Sequence, residues 1–190
     1  MVLARHFLLF ALLIICVYTD LASGKIYNWC TFPALFVGVL TNYVIGGFTE
    51  GGWTGMNLVS SAAGIILVLA VFGWPYLRGG IAAGDVKLML AVGGIGGMHE
   101  LYSIYAVFYS VLVGALMAFL LFVWKGRLWQ GLKGSFRYAF STGKVKGENS
   151  EDPGETEESE NSFTGLTIPY GFAIAVGSVI AWYLVEVPEM

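Results

Sequence analysis

The sequence predicts an all-α fold, that of a polytopic membrane protein with six transmembrane helices. Two observations support this prediction. The 190-residue chain is 57% hydrophobic and only 12% charged, with a mean hydropathy of +0.73, which is more apolar than a soluble domain of this length can accommodate. The apolar residues also fall into runs close to the roughly 20 residues that cross a bilayer. No charge pattern indicates a nucleic-acid partner.

Six segments are expected to be helical by hydropathy. In chain order they are 4–22, 31–48, 57–77, 84–98, 101–124 and 167–186. The last connection, about 125–166, is long and polar. Its first half is basic, and its acidic part, 147–162, lacks the apolar residues needed for a core and is predicted to be disordered. We interpret 1–190 as a single membrane domain that carries this polar loop.

The distribution of basic residues predicts the topology. If all six segments span the membrane, nine of the ten Lys and Arg share one side and only Arg5 lies opposite. If the short segment 84–98 did not span, the basic stretch 125–146 would move to the other face and the bias would be lost. The positive-inside rule therefore favours six spans, with the basic side in the cytoplasm and both termini outside.

The first segment also has features of a cleavable signal peptide, namely a basic start and an apolar centre. An aromatic residue and Asp20 interrupt the region where small residues should precede a cleavage site. Removal of this segment would also break the charge pattern. We therefore expect a retained helix.

Two of the three aspartates occupy related places. Asp152 belongs to the acidic run, whereas Asp20 ends the first segment and Asp85 begins the fourth, so the topology puts these two at the same membrane face. An ionisable residue at a span is costly, which makes function the default hypothesis. Two carboxyl groups at the same depth in the membrane are what an aspartic protease needs for catalysis. They share a proton, one activating water and the other protonating or polarising the scissile carbonyl.

Other interpretations remain open at this point. Each aspartate alone could merely cap or end a helix. The pair could form an ion or proton relay in a small transporter or channel, although few polar residues line the remaining spans. A non-catalytic assembly factor is a third possibility. His6 and His99 map to the opposite face, and Cys16 and Cys30 form no CxxC pair, so we expect two free thiols, no metal and no cofactor.

Three short stretches of the chain carry further information. The stretch "DLASGKIYNW" begins with Asp20 and continues into a short basic turn, the stretch "AAGDVKLMLAVG" contains Asp85, and the stretch "IPYGFAIAVG", 168–177, lies at the start of the last apolar segment. With these three motifs in order, the chain resembles the type IV prepilin peptidase family of GxGD membrane aspartic proteases. The second stretch resembles the GxGD motif, with Asp85 as its aspartate, the first resembles the segment of the other catalytic aspartate, here Asp20, and the third resembles the Pro-Tyr-Gly motif of the last helix. The resemblance covers nearly all the spans.

The chain departs from the family pattern at three positions. Ala82 replaces the first glycine of GxGD, Tyr27 stands where proline is frequent, and Phe172 replaces the second proline of the last motif. None of these changes removes a reacting group. The cytosolic insert with two CxxC pairs, which is found in the long bifunctional members of the family that also act as N-methyltransferases, is absent. The chain therefore resembles the short form, as in tight-adherence pilus prepilin peptidases or archaeal preflagellin peptidases. N-methyltransferase activity is not expected.

The resemblance implies a membrane aspartic endopeptidase without cofactors, acting at the cytoplasmic face of a prokaryotic inner membrane. Its substrates would be prepilin or pilin-like precursors with a basic leader, a glycine at the cut and an apolar helix. Asp20 and Asp85 would be catalytic. Supporting or substrate-binding roles would fall to six residues: Gly84, Lys87, Asn28, Pro169, Tyr170 and Gly171. A snorkelling positive-inside lysine is the other interpretation of Lys87.

Overall fold

A computed structural model describes residues 2–124 and 170–186, and within these ranges the chain forms six α-helices and no strand. The all-α prediction is confirmed, and each predicted segment contains one helix. The helices are α1 (Val2–Ser23), α2 (Asn28–Gly46), α3 (Leu58–Leu77), α4 (Ala83–Gly96), α5 (Tyr102–Trp124) and α6 (Tyr170–Glu186). Short 3-10 turns at Gly52–Thr54 and His99–Leu101 lie in two of the connections. The predicted polar loop, 125–166, lies outside the described residues.

Four of these helices are long and apolar enough to cross a membrane, namely Arg5–Ser23, Asn28–Gly46, Leu58–Leu77 and His99–Leu120. Large apolar side chains cover their outer faces; Phe7 is 77% exposed and Leu77 is 81% exposed. A surface of this kind suits a lipid environment better than water. A polytopic membrane protein is therefore the class that the helices define, while the number of six spans stays a prediction.

Helix α4 lies at the centre of the helix packing. Ten of its fourteen residues are buried, and it contacts α1, α2, α3 and α6. Its length is only about 21 Å at 1.5 Å per residue, short of the roughly 30 Å hydrocarbon core. A helix this buried and this short needs protein partners at both of its ends, because lipid cannot satisfy its free backbone groups.

Small residues let neighbouring helices approach α4 closely. A Cβ atom placed on Gly64 of α3 would lie 2.5 Å from the carbonyl oxygen of Gly93, and one on Gly38 of α2 would lie 2.9 Å from Cα of Ile95. Both distances are too short for any larger residue without a shift of the backbone. The glycine-rich run 93–97 therefore serves the close packing of helices.

Asn42 of α2 closes the C-terminal end of α4. Its Nδ2 donates to the carbonyl oxygen of Ile95 at 3.0 Å and to Oγ of Ser61 at 2.8 Å. Asn42 is buried, so these bonds replace water at carbonyls that the helix itself cannot satisfy. The N-terminal end of α4 carries Asp85 and forms part of the candidate site.

Candidate active site

Asp20 lies in the last turn of α1, where the helix ends on a left-handed glycine. Gly24 has φ +61° and donates its N–H to the carbonyl oxygen of Asp20 at 2.8 Å. Glycine suits this position because it adopts a positive φ at no steric cost. The sharp end of α1 leads into the connection 24–27 and leaves the Asp20 side chain half-buried beside α6.

The Asp20 carboxylate is bound to the backbone of α6. The N–H of Gly171 donates to Oδ2 of Asp20 at 3.1 Å. Gly171 is the second residue of α6, so its N–H is one of the donors that a helix start leaves without an intrahelical partner. A Cβ on Gly171 would lie 2.6 Å from that same oxygen. The absence of a side chain at Gly171 is what lets Asp20 reach the helix end.

Asp85 is the third residue of α4 and is only 9% exposed. Ala82, not Asp85, occupies the N-cap position, and it makes no side-chain capping bond. The interpretation of Asp85 as a simple N-cap is therefore not supported. Ala82 has φ −70°, a value that alanine adopts as readily as glycine, so the departure from the GxGD pattern places no strain on the backbone.

The structure brings the two carboxylates together from separate helices. Helices α1, α4 and α6 contact one another in pairs, and Asp20 lies near enough to Asp85 for the two carboxyl groups to interact electrostatically. Tyr170, the first residue of α6, is in turn within electrostatic range of Asp85. The three motifs that are 65 or more positions apart along the sequence thus meet at one end of the bundle.

Tyr170 is held by aromatic and small residues of two other helices. Its ring packs edge-on against Phe72 of α3, with the ring centroids 6.4 Å apart. The ring also lies against Gly114 of α5, where a Cβ atom would clash with it. These contacts with α3 and α5 hold the Tyr170 ring in place near Asp85. Pro169, which was predicted to support the site, lies outside the described residues.

Ile26 also packs at the candidate site, although the sequence analysis assigned no role to it. A Cβ on Gly84 would lie 3.1 Å from Cβ of Ile26, and a Cβ on Gly171 would lie 3.3 Å from Cδ1 of Ile26. Ile26 thus packs against the glycine that precedes Asp85 and the glycine that binds Asp20. An apolar residue in a polar turn, between Lys25 and Tyr27, was the available signal.

Two of the predicted supporting residues bind each other. Nζ of Lys87 donates to Oδ1 of Asn28 at 2.9 Å, and it lies 5.9 Å from the ring centroid of Phe32. Lys87 therefore links α4 to the start of α2. This contact gives the ammonium group a polar partner at the helix ends, which agrees with the interpretation of Lys87 as a lysine that keeps its charge near the interface.

The residues of 2–124 and 170–186 contain no group of three or more His, Cys, Asp or Glu placed to hold a metal ion. What the described part of the chain does provide is a pair of carboxylates, a helix start bound to one of them, and a fixed tyrosine beside the other. Paired carboxylates of this kind can carry out general acid and base chemistry on one substrate.

Fold and site together define a helical membrane protein with a two-carboxylate site, and a comparison with protein families identifies its relatives. The model of the Type IV leader peptidase family matches residues 7–119, more than half of the chain. The chain belongs to this family, which supports protease activity. The matched range contains Asp20 and Asp85, whereas α6 lies beyond it. Neither the curated proteins nor the solved structures that were compared gave a significant match.

Proposed function

We propose that this protein is an aspartic endopeptidase of the prokaryotic inner membrane that removes the basic leader from type IV pilin-like precursors at the cytoplasmic face. Membership of the Type IV leader peptidase family supports this substrate class. The observation that carries the proposal is the meeting of Asp20 and Asp85, from two different helices, at one end of the bundle.

The chemistry needs one water molecule and two carboxyl groups. One carboxylate takes a proton from the water while the water oxygen bonds to the scissile carbonyl carbon, and the carboxylic acid of the pair protonates or polarises the carbonyl oxygen. The tetrahedral intermediate then collapses. The C–N bond breaks, the amine of the apolar product takes a proton, and the leader leaves with a new carboxyl group.

The ends of the helices suit this reaction. Asp20 lies in the last turn of α1, and Asp85 lies in the first turn of α4, so both carboxylates are near the level where the apolar segments end. A substrate helix can remain in the hydrocarbon while its junction with the leader lies at this level. There, water is present and the peptide can be extended without leaving backbone groups unpaired in lipid.

Cleavage of a defined precursor tests the proposal. The purified protein, in detergent, should cut a precursor with a basic leader, a glycine and an apolar helix into two products, and mass spectrometry should place the cut after the glycine. A precursor with valine in place of that glycine is the matched control. The mature product should carry no added methyl group when a methyl donor is present, because the chain lacks the insert of the bifunctional relatives.

Two results would contradict the proposal. One is an intact precursor after prolonged incubation with folded protein. The other is ion flux through vesicles that contain the protein, abolished by substitution of either aspartate, which would favour the transporter interpretation.

A further inference from the structure

The two cysteines of the chain lie next to each other, although no motif in the sequence pairs them. Sγ of Cys16 is 3.8 Å from Sγ of Cys30, close enough for a weak S–H···S hydrogen bond. Cys16 belongs to α1 and Cys30 to α2. A contact between thiols on two different helices is the geometry from which a disulfide can form with a small movement of either helix.

The thiol pair is close to the candidate site along both helices. Cys16 precedes Asp20 by four positions, so the two side chains lie on the same face of α1, one turn apart. Cys30 lies in the first turn of α2, where its N–H donates to the carbonyl oxygen of Tyr27 at 3.2 Å. The connection between the two cysteines includes Ile26, which packs against Gly84, the residue before Asp85, and against Gly171, whose N–H binds Asp20.

The two thiols differ in accessibility. Cys16 is fully buried, whereas Cys30 is only partly buried, at the start of its helix. An oxidant can therefore meet Cys30 first, and Cys16 is placed to resolve the product. Disulfides of proteins that face a reducing compartment are usually transient and redox-sensing.

We propose that Cys16 and Cys30 form a reversible dithiol–disulfide switch that slows the peptidase when it is oxidised; the effect on the rate rests on the proposed function. The oxidant is a small organic disulfide. The Cys30 thiolate attacks one of its sulfurs and releases the first thiol, and the Cys16 sulfur then attacks the mixed disulfide, loses its proton and releases the second thiol. The two cysteines are oxidised by two electrons, and the organic disulfide is reduced to two thiols.

Oxidation acts on the site through geometry. A disulfide holds its sulfurs about 2.05 Å apart, so forming it draws the end of α1 and the start of α2 together from the present 3.8 Å. Asp20 lies one turn after Cys16 in α1, and Ile26 lies in the connection that leads into α2. Misplacement of a reacting group by about 1 Å can cost a factor of about 100 in rate. We expect oxidation to slow cleavage by at least tenfold, with full recovery on reduction by dithiothreitol.

Titration with 2,2′-dipyridyl disulfide tests the pair without any substrate. Each attack on this reagent releases one coloured pyridinethione. The folded, reduced protein should release two, keep no pyridyl adduct by mass spectrometry, and retain no thiol that reacts with a maleimide. Cys16→Ala should instead keep a stable pyridyl adduct on Cys30. Retention of pyridyl adducts by the native protein, or of a free thiol, would show that the disulfide does not form.

The cleavage assay tests the effect on the rate. Cys30→Ser should cleave the precursor at close to the reduced wild-type rate with or without the reagent, and Cys16→Ala should do so in the absence of the reagent. A disulfide that forms but leaves the wild-type rate unchanged would contradict the switch. If reduced protein cleaves no precursor, the proposed function and the claim on the rate both fail, while the thiol titration still decides whether the pair oxidises.

Discussion

The Asp20 carboxylate makes its hydrogen bond not to its own helix but to the backbone N–H of Gly171 in α6. That bond depends on a missing side chain, because any Cβ on Gly171 would lie 2.6 Å from the accepting oxygen. At the scale of single residues, the geometry of the site therefore depends on a glycine as well as on the aspartates. Gly84 likewise has little room for a larger side chain, because Ile26 packs against it.

Gly171→Ala tests this dependence. The added methyl group should push the Asp20 side chain off the start of α6, and we expect cleavage of the precursor to fall about 100-fold, as is typical for a misplacement of about 1 Å. The measurement is the initial rate in detergent. Gly73→Ala is the matched control, since a Cβ on that glycine of α3 meets nothing within 4 Å, and its rate should stay within about twofold of wild type. Equal rates for the two variants would show that Asp20 does not need this contact.

At the scale of elements, α4 is the helix that the rest of the bundle holds in place. Its short length means that neighbours must satisfy both ends, and Asn42 does so at the C-terminal end through the Ile95 carbonyl. The Asp85 end of the same helix is thereby fixed in position. The stability of α4 and the placement of Asp85 are consequently linked.

Asn42→Ala should destabilise the protein by about 1–3 kcal/mol, because it leaves buried carbonyl groups without a donor. Unfolding by denaturant in detergent measures the change. Thr41→Ala is a suitable control: it removes a hydrogen bond of 2.7 Å to the Val37 carbonyl of its own helix, in an exposed setting. A change no larger than that of the control would mean that Asn42 does not secure the end of α4.

The sequence predicted the elements well because hydropathy is a local property. All six apolar segments contain helices. Contacts between distant positions were harder to predict. The link from Asp20 to Gly171, the position of Ile26 and the approach of Cys16 to Cys30 depend on how helices pack, and no residue pattern within one segment encodes them.

At the scale of the whole molecule, the central expectation is that every apolar helix crosses the membrane. Four helices meet the length and composition of a span. The crossing of α4 is inferred from the charge pattern, because nine of the ten basic residues share one side only if α4 spans, whereas α6 is a shorter apolar helix, Tyr170–Val185, whose crossing stays a prediction from hydropathy. The crossing of α4 decides whether the basic stretch 125–146 faces the same compartment as Lys25.

Reporter fusions test this topology. With six spans, alkaline phosphatase fused at the C-terminus should be active on the outer side of the membrane, and a fusion within 125–146 should be inactive because the enzyme stays in the cytoplasm. The fluorescence of a green fluorescent protein reporter should show the opposite pattern. A C-terminus in the cytoplasm would contradict six spans with both termini outside.

The most direct test of the account is the cleavage rate of three aspartate-to-asparagine variants. Asp20→Asn and Asp85→Asn keep size and shape but remove the carboxyl groups, so each should lower the initial rate by at least about 1,000-fold while leaving the thermal unfolding midpoint in detergent close to that of wild type. Asp152→Asn, the same substitution at the remaining aspartate of the chain, should cleave within about twofold of wild type. If either Asp20→Asn or Asp85→Asn retains more than about a tenth of the wild-type rate, that residue is not part of a catalytic pair.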